Sequence, residues 1–280
     1  MSARRLTCAL LLLAAVSACS KESPTEPDNN TIAYTAIGAS DANGVGSSAP
    51  CLGSCTTGQG YVPQLTRRME QGGRTVTLSN LGIPTALLSP EFQQLSNAVG
   101  REALGNFLDG EVPRVPSSTT LLTVFAGAND ANVVGMAIRA GLAGADVSGY
   151  IAARVQAFAR DLRALLTGVR GRAPGTRIVF LNLPNLAGMP YAAGLSLDEK
   201  RLLQQIAVAF SAQVNTLVAD GVLVADVMCD SRSLQSGIFS SDGFHPNDTG
   251  YAFLADLLYG PATTGSAPAP AASCSAMTLF

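Results

Sequence analysis

Thr31-Ile32-Ala33-Tyr34-Thr35-Ala36-Ile37 runs without a charge into Gly38-Ala39-Ser40-Asp41. An apolar, β-prone run (Ile32–Ile37) broken at once by glycine and small polar residues predicts a strand buried on both faces that ends in a tight turn. Four further runs read the same way: Thr75–Leu78, Thr120–Phe125, Arg177–Leu181 and Val222–Val227. Helical spacings separate them. Ile151, Val155, Phe158, Leu162 and Leu165 recur at steps of four and three, with Ser148 placed to cap them. Ser196-Leu197-Asp198-Glu199 has the form of a capping box ahead of Leu203, Ile206, Phe210 and Val214. A last helix is predicted to start after Asn247 and stop at Gly260. Strand–helix alternation of this kind predicts an α/β protein with a doubly wound, five-stranded parallel sheet.

In such sheets ligands gather beyond the carboxyl ends of the strands. Three polar loops fall at that edge: Gly38-Ala39-Ser40-Asp41, Asn80-Leu81-Gly82 and Gly127-Ala128-Asn129-Asp130. The one histidine of the chain lies in Asp242-Gly243-Phe244-His245-Pro246. A lone histidine rules out zincin motifs and zinc-finger spacings, which need more than one His or more paired cysteines. A serine hydroxyl is a poor nucleophile until a base sits within hydrogen-bond reach, and His245 with Asp242 three residues before it could supply one. Taken singly the residues are ambiguous. Serine is common in surface turns, Gly82 suits any turn after a strand, and Asn129 could cap the helix that follows it.

In their order and spacing, however, the four blocks resemble those of the SGNH (GDSL-type) hydrolases, over roughly Thr31 to Tyr259. The resemblance implies a three-layer α/β/α sandwich like that of flavodoxin. It implies Ser40 as nucleophile, His245 as base and Asp242 as the group that orients it. It also implies an oxyanion hole built from the Ser40 and Gly82 backbone N–H groups and the Asn129 side-chain amide. The expected reaction is hydrolysis of a small-molecule carboxylic ester through an acyl-serine, with no metal or organic cofactor. One position departs: where the family carries Gly-Asp-Ser-Leu, this chain has Gly38-Ala39-Ser40-Asp41, so a carboxylate that would tie neighbouring loops is missing. Gly38-x-Ser40-x-Ala42 also approaches the Gly-x-Ser-x-Gly elbow of the α/β-hydrolases, but there the serine usually follows several strands. A non-catalytic surface lipoprotein, using the fold to bind carbohydrate or a partner, is the alternative from another class. Its mark would be decay of the site, and every catalytic position is filled. Two stretches, Asn132–Gly149 and Leu186–Leu195, could line an acyl pocket or pack as core. Tryptophan is absent and aromatic residues make up only 6% of the chain, which favours simple acyl or lipid esters over polysaccharides.

With 47% hydrophobic and 14% charged residues, the chain can bury a sizeable core. It has no basic run that would suit nucleic acid. Residues 1–18 read as a leader: Arg4-Arg5, an apolar Leu6–Val16 and the small residues Val16-Ser17-Ala18. That run is too short to span about 30 Å of hydrocarbon. Cys19 directly after it resembles a bacterial lipobox, in which the cysteine is lipidated. Ser20 in place of aspartate then favours the outer membrane of the cell envelope. A polar tether (19–30), the hydrolase-like domain (31–260) and a Pro/Ala-rich tail (261–280) follow, and the expected species is a monomer. Setting Cys8 and Cys19 aside leaves Cys51, Cys55, Cys229 and Cys274, an even number suited to an oxidising compartment. Of three possible connectivities, Cys51–Cys55 with Cys229–Cys274 is preferred, because the first pair shares a Gly/Ser-rich loop. Cys51-x-x-x-Cys55 lacks the partners that would complete a metal site.

Overall fold

The computed structural model describes residues 30–280. The leader, Cys19 and nearly all of the tether lie outside these described residues. Five strands form one parallel sheet: β1 (Thr31–Gly38), β2 (Thr75–Asn80), β3 (Leu121–Phe125), β4 (Arg177–Leu181) and β5 (Leu223–Ala225). Their order is β2-β1-β3-β4-β5, the flavodoxin-like arrangement whose switch point lies between β1 and β3. Among the described residues six α-helices accompany them: α1 (Tyr61–Gln71), α2 (Pro90–Ala98), α3 (Ala128–Arg139), α4 (Val147–Arg172), α5 (Leu197–Thr216) and α6 (Asp248–Thr264).

Successive residues of a strand point to opposite faces, and here each face meets a helical layer. Leu122 and Val124 of β3, with Ile178 and Phe180 of β4, pack into a core with Phe92, Phe158 and Phe210 from α2, α4 and α5. Leu121, Val179 and Leu181 pack on the other side with α1 and α6, through Leu65, Met69, Tyr251 and Leu258. This double burial is why the strands read as nearly unbroken apolar runs, and it gives the three layers expected.

Several boundaries differ from the sequence reading for local reasons. β5 is shorter than Val222–Val227 because the Asn182 side-chain oxygen takes the N–H groups of Val227 (2.7 Å) and Met228 (3.0 Å), turning the chain out of the ladder. Helix α4 is capped by Asp146 and not by Ser148: the Asp146 carboxylate accepts from the Gly149 N–H at 2.8 Å. Asn247 caps α6 as expected, accepting from the Thr249 and Gly250 N–H groups. That helix does not stop at Gly260. It continues through Pro261 to Thr264 and ends at Gly265, whose φ of 73° provides the left-handed terminus. The Ser196/Glu199 capping box is present. Both expected disulfides, Cys51–Cys55 and Cys229–Cys274, are formed, and the second fastens the C-terminal segment beside β5.

Candidate active site

All four motif loops meet at the carboxyl edge of the sheet. Ser40 sits just beyond β1 in a tight turn, with its carbonyl accepting from the Asn43 and Val45 N–H groups. Its hydroxyl lies 2.8 Å from Nε2 of His245. On the opposite side of the ring, His245 Nδ1 is 2.6 Å from Asp242 Oδ2. The second Asp242 oxygen accepts from the backbone N–H groups of Phe244 (2.8 Å) and His245 (2.9 Å), and from the Ser240 hydroxyl (2.8 Å). Partial burial pushes the Asp242 carboxyl up, but the bonds from His245, Phe244 and Ser240 together outweigh it and hold the group well below the usual carboxylate range. An ionised carboxylate on Nδ1 fixes the tautomer that leaves Nε2 free to accept the serine proton.

The histidine turn is itself braced. Gly243 adopts φ +70°, and a Cβ there would lie 2.7 Å from the backbone nitrogen of Tyr191. That close approach lets the Tyr191 N–H donate to the Gly243 carbonyl at 3.1 Å. Phe244 stands edge-on between Tyr191 (5.0 Å) and the His245 ring (5.1 Å). Gly127, ahead of α3, is also required: its φ is +109° and a Cβ would fall 2.8 Å from the Phe158 ring.

Among the groups expected to form an oxyanion hole, one differs in its hydrogen bonding from the expectation. The Ser40 N–H has no acceptor among the described residues, but the Gly82 N–H already donates to Asn80 Oδ1 at 3.1 Å. Gly82 thus closes its own loop, while Asn80 Nδ2 donates to the Ala42 carbonyl at 2.7 Å and ties that loop to the serine turn. Asn129 lies in the first turn of α3 and does not cap the helix; its Nδ2 donates to the Ala86 carbonyl at 2.9 Å. Together with Ala39, Asp41 and Ala86 it lines a small cavity beside the serine turn.

Three groups whose structural roles sequence reasoning did not assign support these loops: Glu111 and Asp130, both buried, and the half-buried Arg101. Glu111, fully buried, accepts the Gly38 N–H at 2.9 Å, and so ties the serine turn from a distant loop although Ala39 cannot. Burial pushes its carboxyl well above the usual range, against the pull of the Gly38 and Ile83 N–H groups. Asp130 accepts the Leu88 N–H at 2.9 Å, and burial raises its carboxyl to about 7. Arg101 donates to Asn129 Oδ1 at 2.9 Å. No local spacing announces these partners, since each comes from another element; only Asp130 stood in view, as the last residue of the Gly127-Ala128-Asn129-Asp130 loop.

Of the two loop stretches, the first is mainly core: Val133 and Val134 are buried in α3, while Leu142 is half exposed. The second contributes Leu186 and Met189 to an apolar cavity of about 40 Å³, shared with Phe125, Phe239, Phe244 and Asp41. Burial pushes the Asp41 carboxyl upward, and the nearby His245 pulls it down.

The sequence model described as the GDSL-like Lipase/Acylhydrolase family matches residues 36–253. No curated protein sequence matches the chain. Among solved structures, the fold is similar to the extracellular lipase of Streptomyces rimosus (TM-score 0.55, 20% identity, covering 81% of this chain and 98% of that one). It is similar to the lipase Lip_vut3 from a goat rumen metagenome (TM-score 0.57, 17% identity, 81% and 95% covered). It is also similar to phospholipase A1 of Streptomyces albidoflavus (TM-score 0.52, 20% identity, 81% and 97% covered). At these identities the likeness establishes the shared fold.

Proposed function

This chain belongs to the GDSL-like lipase/acylhydrolase family, and from that premise we propose that it is a serine esterase cleaving carboxylic esters of short acyl groups through an acyl-serine intermediate. The observation that carries this reading is the unbroken chain from Ser40 Oγ to His245 Nε2 (2.8 Å) and from His245 Nδ1 to Asp242 (2.6 Å).

His245 takes the Ser40 proton as the hydroxyl attacks the ester carbonyl. Asp242 holds the ring and stabilises the imidazolium that forms. The oxygen that becomes negative is met by the Ser40 N–H and by the Asn129 amide hydrogen not used by Ala86; the Gly82 N–H contributes only if Asn80 releases it. His245 then protonates the leaving alcohol. Water, deprotonated by the same ring, attacks the acyl-serine and returns the enzyme to its starting state.

The size of the apolar cavity supports a short acyl chain. A cavity of roughly 150 Å³ takes up benzene, whereas the space beside Phe244 and Met189 is about 40 Å³. A long chain would have to lie outside it. We further propose that Cys19 carries lipid and anchors a monomeric enzyme to the outer membrane, so that it acts on esters in the cell envelope.

Two measurements test the catalytic reading. A fluorophosphonate should label Ser40, as read by peptide mass spectrometry, and Ser40→Ala should lose both label and turnover while unfolding at the wild-type temperature. A panel of p-nitrophenyl esters from acetyl to palmitoyl, run beside acetylated sugars, should peak at short acyl chains. Labelling elsewhere, or turnover surviving in Ser40→Ala, refutes the serine assignment. For the anchor, Cys19→Ala should prevent both correct processing of the leader and lipid attachment, read by mass spectrometry of the N-terminus; cleaved wild-type protein that is fully soluble would refute it.

A further inference from the structure

We infer that Arg101 is a positioning residue for the oxyanion side of the site: it fixes which way the Asn129 amide faces and strengthens that amide as a donor. The inference rests on the reading of Asn129 as an oxyanion donor. An asparagine side chain can turn over about its last torsion and exchange its oxygen for its nitrogen. Turned over, Asn129 would present an acceptor to a developing negative oxygen, which would repel it. The protein removes this freedom from both ends. A guanidinium can only donate, and Arg101 Nη2 donates to Asn129 Oδ1 at 2.9 Å. A carbonyl can only accept, and that of Ala86 accepts from Asn129 Nδ2 at 2.9 Å. Swapping the two amide atoms would set donor against donor at Arg101 and acceptor against acceptor at Ala86. One N–H of Asn129 is left without an acceptor among the described residues. It belongs to the side chain that lines the cavity with Ala39 and Asp41, the neighbours of Ser40.

The same contact acts on donor strength. A cation on the amide oxygen draws electron density from the nitrogen, and such polarisation runs along hydrogen-bond chains in a site shielded from water. Arg101 is itself held. Its Nη1 reaches the Ser96 hydroxyl at 3.3 Å and the Thr85 carbonyl at 3.5 Å, while the Ser96 hydroxyl donates back to the Arg101 carbonyl at 2.8 Å. Thr85 is the only non-glycine at positive φ (65°) among the described residues, a conformation disfavoured for a β-branched side chain. It immediately precedes Ala86, the second anchor of Asn129. Arg101 therefore secures both the amide and the strained peptide beside its other partner, without any direct hydrogen bond to Ser40 or His245.

The test is a double-variant cycle on the full chain, with p-nitrophenyl acetate as substrate and rates normalised to phosphonate-reactive serine. Arg101→Met should lower kcat on the order of tenfold with little change in KM. Arg101→Lys, which keeps a cation but not the fork, should recover part of that loss. In the Asn129→Ala background, the same Arg101 substitutions should change kcat no further. If Arg101→Met does not fold, Arg101→Lys carries the cycle alone, since its partial loss should likewise vanish beside Asn129→Ala. An equal loss in both backgrounds, or an effect confined to KM, would make Arg101 merely structural and overturn the inference. Wild-type turnover in Asn129→Ala would instead remove the reading of Asn129 on which the inference stands.

Discussion

Asp242 grips His245 twice: one carboxylate oxygen lies 2.6 Å from the imidazole Nδ1 and the other accepts the backbone N–H of the same residue at 2.9 Å. Ring and main chain are thereby oriented by a single side chain, within one turn of only four residues. Asp242→Asn keeps the size of that side chain but can present an N–H to Nδ1 and so favours the wrong tautomer. The expected result is a fall in kcat of about 10⁴-fold with the thermal midpoint nearly kept. A loss below tenfold would mean that the carboxylate charge is not needed.

Because Asp242 is held ionised, the loss of catalytic efficiency on the acid side should not come from that carboxylate. The chain has one histidine, so its NMR ring signals need no mutagenesis to assign. Their titration in the free enzyme should coincide with the acid limb of kcat/KM. Two clearly separated midpoints would show that another group sets the limb.

Asp130 makes a separate prediction about stability. Burial raises its carboxyl to about 7, while in the unfolded chain it ionises near about 3.9. Between those values the folded state binds a proton that the unfolded state does not. Stability from this group is therefore complete below about 4 and is lost as pH rises through about 7. The difference should be on the order of a few kcal/mol, measured by urea unfolding at pH 5 and pH 8. In Asp130→Asn the slope over this range should flatten; an unchanged slope would assign it elsewhere.

Glu111 holds the Gly38 N–H two residues before Ser40. Glu111→Gln retains an oxygen that can accept that bond and should keep turnover within a few-fold. Glu111→Ala leaves the N–H unpaired in a buried site, at a cost of about 1–3 kcal/mol before any cavity is counted, and should also slow turnover by loosening the serine turn. Equal behaviour of the two variants would show that the hydrogen bond is not what matters.

Met189 limits the apolar cavity near Phe244. Met189→Ala should shift the preferred acyl chain toward longer esters in the p-nitrophenyl panel. An unaltered preference would place the acyl group elsewhere.

The sequence by itself determined the layered α/β fold and pointed to the residues proposed to react. Unbroken apolar runs such as Leu121–Phe125 are required wherever a strand is covered on both faces, so they carry the parallel sheet in one dimension. A serine after the first of them, and a lone histidine three residues beyond an aspartate, are legible because each role needs its own residue type. Helix ends were less legible. Ser148 and Gly260 are acceptable terminal residues, but the Asp146 carboxylate and the left-handed backbone of Gly265 are what close the helices. Only the tertiary structure decided what holds the site. Glu111 reaches Gly38 across 73 positions and Arg101 reaches Asn129 across 28, and such pairs leave no periodic trace. It also decided that Gly82 spends its N–H on Asn80. A motif specifies which atoms a residue owns, but whether a donor is free depends on what the fold brings within about 3 Å of it.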